Sequence, residues 1–288
     1  MPLIHVRSIK LTCECMQISS RSNPAIKSIR ALRERKERER TQLFFVEGIR
    51  LVAEAVQLSP TVAIDTIIVA PDLLKSDFAR DIVREAQNHG TPCIEVTPDV
   101  FASLSQKEGP QGLAAVIKQR WTTLSTLGPL PTPHALYLAL ESPQDPGNIG
   151  TILRTADAVG VDGVILLGQP ADPYDPDAVR ASMGAIFTQQ LISATFTELH
   201  AWRQSQALSL LGTSDKAHTD YRAANYCQSL IMLMGSERQG ITAEQNNACD
   251  QLIAIPMQGR SDSLNLAVAT GVLLYEIHNQ RFPSMNLS

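Results

Sequence analysis

The sequence predicts an α/β protein built as two units, and three observations carry that expectation. Short apolar runs alternate with helical stretches along most of the chain. Several runs, among them Ala135 to Leu140, Gly163 to Leu167 and Ser229 to Met234, are apolar almost without interruption. That pattern marks strands of a parallel sheet covered on both faces, not half-exposed strands with alternating character. Third, Leu127-Gly128-Pro129-Leu130-Pro131-Thr132-Pro133 packs three prolines into one short span, an extended and semi-rigid connection between two blocks of alternation. With 288 residues, two domains are the natural expectation. The boundaries read as a disordered start at 1–22, a first domain at 23–120, a linker at 121–133 and a second domain at 134–288.

Composition narrows the class. A hydrophobic share of 44% with 19% charged residues is that of a soluble globular protein. No apolar run reaches the ~18 residues of a membrane span, so no membrane partner is expected. The five cysteines, Cys13, Cys15, Cys93, Cys227 and Cys249, are scattered. Cys13-Glu14-Cys15 lacks the spacing and the second pair of a structural zinc site. All five read as ordinary thiols in a reducing cytoplasm, with no metal. The net charge of −4 is uneven: residues 1–128 carry +3 and residues 129–288 carry −7. A basic front on an acidic rear suits a polyanionic substrate held by the front.

In chain order, 1–21 is unpatterned, and the acid at Glu14 argues against a transit peptide. Asn23 to Arg40 reads as one helix, with Asn23 and Pro24 as cap and first turn. Its Arg30, Arg33, Arg35, Lys36, Arg38 and Arg40 alternate with Glu34, Glu37 and Glu39, as on a salt-bridged exposed helix or an RNA-contacting one. Phe44 to Val46 is a strand, Ile49 to Gln57 a helix and Thr66 to Ala70 a strand. Asp77 to His89 is a helix with Phe78, Ile82, Val83 and Ala86 on its apolar face. Cys93 to Val96 and Leu113 to Ile117 complete a small α/β unit. Beyond the prolines, Gly163 to Leu167, Leu191-Ile192 and Leu208 to Leu211 are strands and Thr197 to Gln206 a helix. The aspartates and prolines of Pro170 to Asp177 match no metal-site spacing and read as a solvated loop.

Three polar corners follow buried strands. They are Pro146-Gly147-Asn148-Ile149-Gly150-Thr151-Ile152-Leu153-Arg154-Thr155-Ala156, then Met234-Gly235-Ser236-Glu237-Arg238-Gln239-Gly240, then Ile255-Pro256-Met257-Gln258-Gly259-Arg260-Ser261-Asp262-Ser263-Leu264-Asn265. In the last, Pro256 and Gly259 take the backbone out of the sheet after a strand at Gln251 to Ile255. Ser263 stands where an N-cap belongs, before a helix from Leu264 to Gln280 whose stripe is Leu264, Ala267, Val268, Gly271, Val272 and Tyr275. Corners of this kind form a crevice at the carboxyl edge of a parallel sheet, where α/β proteins bind ligands.

In register and in order, the three corners resemble those of the SpoU methyltransferases, the TrmH-like branch of the SPOUT class. The resemblance covers about half the chain, from Ala135 onward. Phe45-Val46-Glu47-Gly48 and Gly109-Pro110-Gln111-Gly112-Leu113-Ala114-Ala115-Val116 resemble that family's N-terminal RNA substrate-binding domain, and Arg180-Ala181-Ser182-Met183-Gly184-Ala185 matches a further phrase. The resemblance implies a C-terminal domain with a trefoil knot, a homodimer through that domain, and methyl transfer from S-adenosylmethionine to a ribose 2′-hydroxyl of RNA. Large-subunit ribosomal RNA is the expected substrate. A transfer RNA 2′-O-methyltransferase and a non-catalytic RNA-binding assembly factor are the alternatives, and the intact polar set speaks against the latter.

The resemblance also assigns residues. Gly235, Ile255 and Leu264 fall at cofactor-contacting positions, with Gly212, Thr213, Gly240 and Met257 as further members of the same cup. Asn148, Arg154, Ser263 and Asn265 form the polar catalytic set, and Glu237 joins them. Arg154 lies in the first turns of a helix, where the dipole disfavours a cation, so a facing phosphate explains it better than the helix does. An Arg154–Glu237 ion pair is the structural alternative. A guanidinium with pKa near ~13 is neutral in about one part in a million at pH 7, a cost of roughly 8 kcal/mol for a general base. Orienting the ribose and stabilising charge is therefore the favoured role for Arg154. Ser263 has no histidine in a triad relation to it, so it is not a nucleophile.

Overall fold

The computed structural model describes residues 16–106 and 108–283, and the chain divides into two compact units at Lys118/Gln119. In the first unit, β1 (Met16–Ile18), α1 (Pro24–Ala31), α2 (Arg35–Thr41), β2 (Leu43–Glu47), α3 (Ile49–Gln57), β3 (Ile64–Val69), α4 (Asp77–Asn88), β4 (Cys93–Val96), α5 (Pro98–Leu104) and β5 (Leu113–Lys118) follow one another. The sheet order is β1-β4-β3-β5-β2. β1, β4 and β3 run parallel, whereas β5 is antiparallel to both β3 and β2.

Several expectations for this unit change. Of the start expected to be disordered, 1–15 lies outside the described residues, together with Cys13 and Cys15, but Met16–Ile18 pairs with β4 in register Met16 to Ile94. The single helix expected over Asn23 to Arg40 is two, because the turn at 32–34 is stapled by arginines. Arg38 is 1% exposed, and its Nη1 donates to the carbonyls of Leu32 (3.0 Å) and Arg33 (2.7 Å), which α1 leaves open at its C-terminus. Arg33 Nη2 donates to the carbonyls of Ser103, Leu104 and Ser105, doing the same for α5. Both arginines are thereby committed to the fold. On α4, Ala79, Ile82 and Ala86 are buried but Phe78 is 53% exposed, so the apolar face is narrower than the sequence suggests.

The second unit contains β6 (Trp121–Thr122), β7 (Leu136–Glu141), α6 (Pro146–Val159), β8 (Gly163–Leu167), α7 (Pro176–Ala181), α8 (Ala185–Thr188), β9 (Leu191–Ala194), α9 (Phe196–Ser205), β10 (Ser209–Thr213), β11 (Thr219–Asp220), β12 (Leu230–Met234), α10 (Ala243–Ala248), β13 (Gln251–Ala254) and α11 (Leu266–Arg281). Its eight strands are ordered β11-β13-β10-β12-β7-β8-β9-β6, and every neighbouring pair is parallel. β7, β8 and β12 are buried almost throughout, as uninterrupted apolar runs require when helices cover both faces. Among the described residues, no helix is long and apolar enough to cross a membrane.

Residues 121–133, expected as an extended, semi-rigid linker, belong in large part to this unit. β6 pairs with β9, Leu124 is buried in the core beside Tyr137 and Trp202, and Leu127 and Leu130 pack against it. Leucines at 124, 127 and 130 are what keep this proline-rich stretch on the surface of the sheet. α6 lies close on α7: a Cβ added at Gly150 would stand 2.2 Å from the Ala178 carbonyl oxygen, so only glycine fits there. α6 also packs against α11.

Candidate active site

The strands β13, β10, β12 and β7 are consecutive neighbours, so the segments that leave their carboxyl ends are brought together at one sheet edge. β7 leads through Ser142 to Asp145, the N-cap of α6. Its Oδ1 accepts from the N–H groups of Gly147 (2.7 Å) and Asn148 (3.3 Å), and Pro146 occupies the first helical turn. These caps fix Asn148 at the mouth of the crevice.

β12 leads into a closed loop. Ser236 and Gly240 exchange backbone hydrogen bonds of 2.9 and 3.0 Å, and Ser236 Oγ accepts from Gln239 N–H at 3.2 Å. A Cβ at Gly235 would lie 2.4 Å from the carbonyl carbon of Gly240 and 2.6 Å from Ile241 N. The chain's own backbone therefore fills the space over Gly235. A side chain there would first push the loop open. Gly240, with φ +67° and no atom within 4 Å of an added Cβ, borders open space. Thr213, at the end of β10, ties the two strand ends together. Its Oγ1 donates to Leu233 O (3.3 Å) and accepts from Gly235 N–H (3.4 Å). Gly212 faces the interior, where an added Cβ would meet Cys249 Sγ, Leu252 and Ile241. Its missing side chain answers to packing. Burial pushes the neighbouring Cys249 thiol up to about 11, so it stays protonated.

β13 leads into the third corner, Ile255 to Asn265. The N-cap of α11 is Asn265, not Ser263: Asn265 Oδ1 accepts from the N–H groups of Ala267 (2.9 Å) and Val268 (3.3 Å). Ser263 is exposed, and its Oγ donates to Asp262 Oδ1 at 3.3 Å. Pro256 to Leu264 contributes no backbone group to a turn or loop hydrogen bond among the described residues. Met257 and Leu264 are 39% and 37% exposed. Free peptide N–H and C=O groups beside two apolar side chains suit a ligand with both polar edges and apolar surface.

The three corners meet in one hydrogen-bonded chain. Asn265 Nδ2 donates to Asn148 Oδ1 (3.0 Å), and Asn148 Nδ2 donates to Glu237 Oε1 (2.6 Å). The structure thus brings together three of the five expected polar residues. Arg154 is not among them. Six residues beyond Asn148, its side chain leaves α6 about 120° away around the helix axis. Arg154 is exposed and has no hydrogen bond or ion pair among the described residues. The Arg154–Glu237 pair is absent among the described residues: Glu237 bonds Asn148, and Arg154 leaves α6 on another side. Below this chain, Glu141 and Gln245 are joined by a hydrogen bond from Gln245 Nε2 to Glu141 Oε2. Sequence reading missed both. The only available signal was the Thr242-x-x-Gln245 capping box that opens α10.

Arg180, in the further matching phrase, lies in α7 and pairs with Asp177 at 2.6 Å. Among the described residues no group of three or more His, Cys, Asp or Glu is placed to hold a metal.

Comparison with known proteins bears on this arrangement. Residues 135–275 match the SpoU rRNA Methylase family, and residues 23–115 match the MRM3-like substrate binding domain. The 23S rRNA (uridine(2479)-2′-O)-methyltransferase of Streptomyces viridochromogenes is 32% identical, with 86% of each chain covered. The 23S rRNA (guanosine(2553)-2′-O)-methyltransferase RlmP of Bacillus subtilis is 28% identical over 91% of this chain and 98% of its own. The AdoMet-bound rRNA methyltransferase from Sinorhizobium meliloti superposes with a TM-score of 0.83 at 33% identity, covering 92% of this chain and 98% of that one. Fold, corners and relatives agree, and the chain belongs to the SpoU rRNA methylase family.

Proposed function

We propose that this protein methylates a ribose 2′-hydroxyl in large-subunit ribosomal RNA, with S-adenosylmethionine as the methyl donor. The observation that carries the reading is the Asn265–Asn148–Glu237 chain, which links the three corners across the crevice. When bound, S-adenosylmethionine supplies a methyl group already activated by a sulfonium, so the protein has to bind, orient and handle one proton. Ile255, Met257 and Leu264 hold the cofactor with the free backbone of the third corner, and Gly235 to Gly240 forms the opposite wall, steadied by Thr213. Asn148, held between a donor and an acceptor, presents a fixed amide to the incoming ribose. Arg154, exposed and unpaired, takes an RNA phosphate and stabilises charge near the reacting hydroxyl, whose proton leaves to phosphate or water. Ser263, exposed in the third corner, contacts the ribose.

The first unit supplies RNA affinity. Arg33 and Arg38 are tied to the fold, whereas Lys27, Lys36 and Arg50 are exposed without a hydrogen-bonded partner among the described residues. These three are the phosphate contacts we assign. Homodimerisation through the C-terminal unit is supported by α11. Leu266, Ala267, Thr270, Leu273, Leu274 and Ile277 are buried, yet Val268 and Tyr275 on another side are 53% and 56% exposed. The last strand, β13, sits inside the sheet between β10 and β11, which supports a threaded C-terminal segment as in the knotted family fold. Ribosomal RNA as substrate makes the cytoplasm the assigned compartment. The test is transfer of labelled methyl from S-adenosylmethionine to ribosomal RNA of a deletion strain, followed by mapping of the modified ribose. Labelling of transfer RNA alone, or of no RNA at all, would overturn the reading.

A further inference from the structure

Loop and crevice are joined at two levels. At the mouth, Asn148 holds Glu237. At the base, the carboxylate of Glu141, the last residue of β7, accepts from Ser142 Oγ at 2.7 Å on one oxygen and from Gln245 Nε2 on the other. Gln245 is 2% exposed and carries two further bonds. Its Oε1 accepts from Thr242 N–H at 2.8 Å, and its own N–H donates to Thr242 Oγ1 at 3.1 Å. Glu141 therefore grips the start of α10 through one buried amide. That start lies directly after Gly240 and Ile241, the backbone that packs over Gly235.

We propose that Glu141, acting through Gln245, is a positioning residue that sets the 235–242 loop against the Asn148 corner and so fixes the affinity for S-adenosylmethionine; this rests on the function proposed above. A charged acceptor in a buried bond is a strong clamp, and a buried amide left without its acceptor would pull the loop out of place. Carboxylate at 141 and amide at 245 are complementary, and exchanging them preserves that complementarity. The capping box does not oppose the exchange, because glutamate serves as well as glutamine at that helical position.

The experiment measures S-adenosylmethionine binding by calorimetry and RNA binding by filter retention for wild type, Gln245→Glu, Glu141→Gln/Gln245→Glu and Glu141→Ala. Gln245→Glu sets two carboxylates face to face, and its cofactor affinity is expected to fall by about tenfold or more, the scale of one hydrogen bond to a charged group. The double exchange is expected to restore it, while RNA affinity stays constant in all four. A purely structural role would lower the melting temperature without that selective loss and rescue. Folded Gln245→Glu with wild-type cofactor affinity overturns the proposal, as does a folded double variant that binds no better than the single one. If Gln245→Glu does not fold, a folded Glu141→Ala with unchanged affinity overturns it in its place. A wild type that binds no S-adenosylmethionine would instead refute the proposed function itself.

Discussion

Asn265 has two jobs that one substitution can separate. Its Oδ1 caps α11 through Ala267 and Val268, and its Nδ2 donates to Asn148. Asn265→Asp keeps the cap and adds a negative charge at a helix N-terminus, which contributes about 0.3–1 kcal/mol of stability. At ~2–4 °C per kcal/mol for a chain of this size, the melting temperature should hold or rise by a few degrees at most. The donor to Asn148 is gone, however, and Asn148 now stands between two carboxylates, Asp at 265 and Glu237. An amide has one donor end and one acceptor end, so it can satisfy only one of them. The lost amide–amide bond is neutral on both sides and worth about 0.5–1.5 kcal/mol, or roughly two- to tenfold in the rate of methyl transfer. Single-turnover methylation at saturating cofactor and RNA, beside thermal melting, reads both consequences. A stable variant that methylates at the wild-type rate would refute the role given to the Asn265–Asn148–Glu237 chain.

Other expectations follow from the same contacts. Gly235→Ala must displace the Gly240–Ile241 backbone, so cofactor affinity and melting temperature should both fall, with about 1–3 kcal/mol of destabilisation from overpacking; Gly240→Ala meets no neighbouring atom, but its left-handed backbone strains any side chain there, at about 1–2 kcal/mol. Arg154→Ala and Arg154→Lys should leave stability within about 0.5 kcal/mol, because Arg154 is exposed without a partner, while methylation falls in both and falls less in Lys. A log-linear rise of the chemical step with pH, lost only in the variants, would instead make Arg154 the base. A fragment beginning at Gln119, where the second unit begins, should fold and bind S-adenosylmethionine but hold RNA weakly, with a flatter salt dependence. In the whole protein, Lys36→Ala and Arg50→Ala should each lower the salt slope by about 0.7–0.9, whereas Arg38→Ala should destabilise the first unit by leaving two buried carbonyls unpaired. Equal RNA affinity and slope for fragment and full chain would remove RNA binding from the first unit.

What the sequence made legible was whatever burial writes into a continuous run. β7, β8 and β12 were found within a residue or so because both faces of the sheet are covered. The start of α11 was misplaced because the helix is apolar on two sides. Of the expected stripe of Leu264, Ala267, Val268, Gly271, Val272 and Tyr275, Ala267 is buried but Leu264, Val268 and Tyr275 are exposed, and Leu266, Leu273 and Ile277 face the core. Serine and asparagine are both good caps, so local chemistry could not choose between Ser263 and Asn265. The arginines near the front read equally as a salt-bridged exposed helix or an RNA-contacting one, because a sequence does not show which carbonyls a guanidinium will find; Arg35 and Arg40 do pair with Glu39 and Glu37. Arg33 and Arg38 find helix ends, an outcome settled only in three dimensions. The same applies to Glu141 and Gln245, 104 residues apart and silent as a pair until the sheet brings their segments together.

The polar chain at the crevice also orders events during synthesis. Asn148 and Asn265 are 117 residues apart. At about 5–20 residues per second, on the order of ten seconds separate their emergence from the ribosome. Throughout that interval Asn148 lacks the donor that fixes its amide oxygen, and Glu237, which emerges between the two, can hold only the nitrogen side. On the RNA-binding role proposed for the first unit, substrate can be captured before the amide is locked in place. A truncated product that ends before α11 is then expected to compete for RNA while transferring methyl poorly.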